Sequence, residues 1–90
     1  MSIIRTINRA LHYYGIDHQL AKTQEECAEL IDAIAKFLQG RVDEDAVVTE
    51  IADVQIMLEQ LKIVFGKDAV RLEINRKIER LEQRIKNETK

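Results

Sequence analysis

A chain of 90 residues with 46% apolar and 33% charged side chains is long enough for one small core and too apolar to remain disordered. Its net charge of -2 gives no basic footprint for nucleic acid, its single cysteine excludes an internal disulfide, and no apolar run approaches the roughly 18 residues that a membrane span requires. With no proline, three glycines and only four Phe and Tyr residues, the chain is predicted to be all-α and a single domain over residues 1–90; without a stretch resembling a signal peptide, it is expected in the reducing cytoplasm.

The glycines punctuate four helices. Ser2 caps a first, about Ile3 to Tyr14, with Ile4, Ile7, Leu11 and Tyr14 on one face and Gly15 as its stop. Asp17 caps a second that runs to about Leu38, where Gly40 ends it. Along it Leu20, Gln24, Cys27, Ile31, Ile34 and Leu38 recur at spacings of 4, 3, 4, 3 and 4, a heptad seam that packs against another helix at a shallow angle. A short linker leads to a third helix opened by Asp43 or Glu44 and closed by Gly66. Lys67-Asp68 opens a fourth, Ala69 to about Asn87, with Val70, Ile74, Ile78, Leu81 and Ile85 on its inner face. Short connections between such helices predict an antiparallel bundle. The third helix is too apolar around its circumference for one chain to cover, so a homodimer, or a dimer of dimers, is expected to complete the bundle.

The third helix also holds the chemistry. At about 100° per residue, Gln55, Glu59 and Lys62 share one narrow polar stripe, with Thr49 and Gln60 to one side. Glu50 falls opposite, among Val47, Val54, Met57, Leu61 and Val64, with Asp53 one turn along. A carboxylate in an apolar face costs several kcal/mol unless it is paired or bound to a metal, and no basic residue of that helix turns toward this pair. On the second helix Glu25, Glu26, Glu29 and Asp32 lie within about 120° of arc, on the side away from the heptad seam. Asp32 has Lys36 at i, i+4 and reads as a surface pair, whereas Glu26 and Glu29 repeat the Glu50, Asp53 spacing. Helices folded back on each other bring the two pairs face to face, and four convergent carboxylates suit a hard divalent cation. Neither His12 nor His18 follows a Glu by three residues, as a di-iron bundle requires, and no second cysteine is present for zinc. All-oxygen ligation points to Mg2+ or Mn2+.

Gln24-Glu25-Glu26-Cys27-Ala28-Glu29-Leu30, followed by Glu50-Ile51-Ala52-Asp53-Val54, resembles the ExxE…ExxD signature of the MazG-like, all-α nucleoside triphosphate pyrophosphohydrolases, and Asn75-Arg76-Lys77-Ile78-Glu79-Arg80 is similar to that family's downstream Asn/Lys/Arg segment. The resemblance covers about residues 19 to 84. It implies Mg2+ held by Glu26, Glu29, Glu50 and Asp53, and cleavage of a nucleoside triphosphate to the monophosphate and pyrophosphate. Glu25 and Glu26 become the catalytic carboxylates, Glu25 as a base or as support for a ligand. Lys22, Asn75, Lys77 and Arg80 become phosphate contacts. There is no Trp to stack on a base, and the preferred nucleotide is not specified. The alternative is a non-catalytic helical dimerisation module, in which an apolar residue at position 50 would be the more stabilising choice.

Overall fold

The computed structural model describes residues 2–89, which form α1 (Ile3–Tyr14), α2 (Ile16–Leu38), α3 (Glu44–Phe65) and α4 (Lys67–Glu88). Local chemistry accounts for the boundaries. The Ser2 hydroxyl accepts from the Arg5 amide at 3.2 Å and opens α1; the Asp43 carboxylate accepts from the Ala46 amide at 3.4 Å and opens α3. Asp17, expected to cap the second helix, instead lies in the first turn of α2, where a carboxylate is favoured by the helix dipole. Lys67 and Asp68 likewise fall inside α4.

Gly15 and Gly66 are each the whole connection between two helices, at φ 91° and 107°, backbone that a residue with a Cβ rarely adopts. The chain is therefore two bent helical rods, α1–α2 and α3–α4, joined by the loop from Gln39 to Asp43. Across that loop the direction reverses: Gln19 near the start of α2 meets Gln60 near the end of α3, and Glu26 meets Glu50. The α2–α3 hairpin is the main packed unit, with α1 laid against both of its helices.

α4 departs from expectation. It packs against α3 only, and Ile74, Ile78, Leu81 and Ile85, predicted as its inner face, are all exposed. The physical reason is Gly66: antiparallel neighbours need about 2–8 residues to turn, and a single residue bends the chain without reversing it. One chain therefore does not close a four-helix bundle. Its radius of gyration is 16.3 Å, against about 12 Å for a compact domain of this length.

The packed seam of α2 also differs from the predicted one. Gln19, Thr23, Glu26 and Ala33 are buried, with Leu30 half-buried between them, so the heptad spacing holds but runs one residue earlier along the helix. The predicted seam lies beside it, and its distal residues Ile31, Ile34 and Leu38 are exposed. On α3 the most enclosed residue is Gln60, 1% exposed, which the sequence pattern put beside the polar stripe. Ile7, Val54 and Met57 complete a core in which polar side chains are as numerous as apolar ones.

A directed hydrogen-bond chain makes that burial tolerable. The Gln60 amide donates to the Ile56 carbonyl at 3.4 Å and lies 3.6 Å from Met57 Sδ. The Gln19 amide donates to Gln60 Oε1 at 2.7 Å, and His18 Nδ1 donates to Gln19 Oε1 at 2.7 Å. Replacing one member strands its buried partner, at a cost of about 1–3 kcal/mol. Gln19→Met is expected to lose stability on that scale in urea unfolding, and adding Gln60→Met should recover most of it. Additive losses in the double variant would show that the two amides are not a coupled pair.

Candidate metal centre

Glu26 enters the α2–α3 interface because it occupies the packed row of α2, three residues after Thr23 and four before Leu30. Glu50 reaches the same place from α3, one turn before Val54. Carboxylate oxygens of Glu26, Glu29 and Glu50 all lie within 4.8 Å of one another. Glu29 is exposed and contributes from the rim, whereas Glu26 is buried and Glu50 half-buried. The decisive detail is at two atoms. Glu26 Oε2 and Glu50 Oε2 are enclosed and have no hydrogen-bond partner.

Among the described residues one cation bears on this cluster. Lys22 Nζ lies 3.4 Å from Glu26 Oε1 and 3.6 Å from Glu25 Oε2. Its hydrogen bond to Glu26, helped by the charges of Glu25 and Glu26, raises the lysine above its ordinary value. Lys22 is exposed and touches the outer oxygen of Glu26, so the two enclosed oxygens gain nothing from it directly. Two carboxylates at this separation repel by roughly 3 kcal/mol at an effective dielectric near 20. A divalent cation answers both problems, and three convergent oxygens without nitrogen or sulfur are the donor set that Mg2+, Mn2+ or Ca2+ accepts. The residues fit the ion that the sequence motif implies.

The other predicted residues fall in different places. Asp53 is half-buried one turn beyond Glu50 and does not join the mutually close trio. Glu25 is exposed and held by Lys22. Asp32 pairs with Lys36 at 2.8 Å on the surface, as its spacing suggested. Asn75, Lys77 and Arg80 are exposed on α4, with Lys77 3.9 Å from Glu73, and α4 does not pack against α2. Within one chain these phosphate candidates stand apart from the carboxylates of α2. Tyr13 and Tyr14 are exposed at the end of α1, Tyr14 stacked on His18 with centroids 5.1 Å apart.

The buried role of Gln19 and Gln60, which hold the hairpin in register beside the centre, was not anticipated. The available signal was the row 19, 23, 26, 30, 33, 37, whose spacing matches that of its apolar neighbour; its polar content concealed it. Comparison of the chain with family models, with curated proteins and with solved structures finds no match.

Two outcomes test the centre itself. Millimolar Mg2+ or Mn2+ should raise the melting temperature and EDTA should lower it, because binding to the folded state alone adds about 2.7 kcal/mol at a hundredfold excess over Kd. Glu50→Gln, which removes one crowded charge and keeps its shape, should be at least as stable as the parent without metal and should lose most of the metal-induced shift. The second outcome concerns Lys22. Its value is raised on folding, so its pairing stabilises the fold fully below pH 10.5 and is lost as pH climbs through the raised value. In metal-free buffer the stability difference between the parent and Lys22→Met should therefore shrink above pH 10.5; a difference that grew there would contradict the assignment.

Proposed function

We propose that the carboxylate centre binds Mg2+ or Mn2+ and that the chain is a metal-dependent nucleoside triphosphate pyrophosphohydrolase, cleaving a (d)NTP to the (d)NMP and pyrophosphate, in an assembly of at least two copies. One observation carries the reading: Glu26 and Glu50 each bury a carboxylate oxygen with no partner, beside a third carboxylate within 4.8 Å. The resemblance of Glu26-x-x-Glu29 and Glu50-x-x-Asp53 to the MazG-like signature supports the choice of substrate class.

In this reading Glu26, Glu29 and Glu50 hold the ion, and Asp53, one turn from Glu50 on α3, is the fourth carboxylate. When bound, the metal supplies charge neutralisation along the triphosphate and a lowered pKa for water. Glu25 is exposed and oriented by Lys22, which suits it to accept the proton of the attacking water at a carboxylate oxygen. Lys22, close to both Glu25 and Glu26, is the α2 cation available to a phosphate oxygen. Asn75, Lys77 and Arg80 serve the leaving pyrophosphate only where α4 is carried to an acidic hairpin.

A second reading, a non-catalytic helical interaction module, is favoured by the exposed apolar stripe of α4. The buried carboxylates oppose it, since apolar residues at positions 26 and 50 would serve packing better.

The test is pyrophosphate release across a panel of canonical and modified NTPs and dNTPs with Mg2+. Glu50→Gln should lower turnover by at least about a hundredfold, on the order of 3 kcal/mol in the transition state. Glu59→Gln, whose side chain pairs with Lys62 at 2.8 Å, should leave turnover unchanged. Parent-level hydrolysis by Glu50→Gln would place the chemistry elsewhere.

A further inference from the structure

Lys22 shares its ammonium between two carboxylates of different standing. Its Nζ lies 3.4 Å from Glu26 Oε1 and 3.6 Å from Glu25 Oε2. Glu26 belongs to the centre and is 9% exposed; Glu25 is exposed and lies outside the mutually close trio. Among the described residues no other lysine or arginine is ion-paired to Glu26, Glu29 or Glu50. Lys22 keeps 46% of its side chain in solvent, so it can turn without disturbing the packing of α2 on α3. In Lys22 the centre has a cation of its own, attached at the rim.

That cation and a metal ion draw on the same carboxylate. A divalent ion between the enclosed Oε2 atoms of Glu26 and Glu50 would leave two cations on the two oxygens of Glu26. The cations repel each other, and the metal, drawing charge from the carboxylate, weakens the ammonium's hold. The metal is enclosed and the lysine is not, so the lysine gives way, with Glu25 as its remaining seat. A bare ion therefore binds against the loss of an ion pair. An ion that arrives on a polyphosphate does not, because its phosphate oxygens extend outward to the rim. There they offer the displaced ammonium a new charge-assisted hydrogen bond.

We propose that Lys22 is a positioning residue that couples the two halves of the ligand. It weakens binding of a bare divalent ion and strengthens binding of the same ion in complex with a polyphosphate. This role rests on the metal and triphosphate reading above and narrows it: the species the centre is built to receive is the metal–triphosphate complex rather than a resident metal. The coupling is reciprocal between metal and phosphate.

Two affinities separate this role from a purely structural one, because they move in opposite directions. Lys22→Met should bind free Mn2+, followed by the loss of the aqueous ion's paramagnetic resonance signal, about fivefold tighter than the parent or more, the lower end of common couplings. In calorimetry with saturating Mg2+ it should bind inorganic tripolyphosphate more weakly by a similar factor. Lys22→Arg, which keeps the charge, should stay near the parent in both. Lys62→Met, whose lysine pairs with Glu59 at 2.8 Å on the polar stripe of α3, should change neither. Free Mn2+ bound equally or more weakly by Lys22→Met, or both affinities shifting the same way, overturns the proposal and leaves the centre standing. Absence of Mn2+ binding to every one of these chains removes the centre itself, and the role of Lys22 with it. The unsubstituted protein gives an independent readout. Mg2+ and tripolyphosphate together should raise its melting temperature by more than the sum of their separate effects; additive or smaller shifts overturn the coupling.

Discussion

Two carboxylates in the interface between α2 and α3 constrain everything around them. Removing Glu26 and Glu50 from water costs several kcal/mol per ion when the charge is uncompensated, against a net stability of about 5–15 kcal/mol for a whole domain. Their inner oxygens have no partner among the described residues, and Lys22 reaches only the outer edge of Glu26. A hairpin that had only to hold two helices together would place apolar residues there. The arrangement makes physical sense as a receptor for positive charge.

The other end of the same interface shows how the hairpin carries so much polarity. Gln19, Gln60 and His18 form a chain of side-chain hydrogen bonds, and the Thr23 hydroxyl donates to the Gln19 carbonyl at 2.7 Å. A satisfied polar network inside a small core lets only one register place every partner, because a slip along either helix would strand several groups at once. The amide pair thereby fixes where Glu26 stands relative to Glu50. Stability at one end of the hairpin positions the charge at the other.

The bends at Gly15 and Gly66 set the second theme. A bend of one residue gives α1 and α4 definite directions without a loop to fold them back. α1 still finds the hairpin, because it is short and packs near the bend. α4, at 22 residues, extends past any surface its own chain offers. The result is a small core around the α2–α3 hairpin with a fully formed arm that packs against α3.

Helix number, most helix ends and the closeness of Glu26, Glu29 and Glu50 were legible in the sequence because they depend on local rules. Glycine stops, the Ser2 and Asp43 caps and the 3.6-residue period act within a few residues of one another. Glu50 was recognisable because its neighbours at i+4 and i+7 are apolar. What tertiary structure alone decided was which of two adjacent rows of α2 faces α3, that Gln60 is buried rather than solvated, and where α4 goes. Rows 19, 23, 26, 30, 33 and 20, 24, 27, 31, 34 have the same spacing, and hydrophobicity favoured the second. The packed row is the first; Gln19 is buried there because it donates to Gln60, far along the chain on α3, and no local pattern records that such a partner exists.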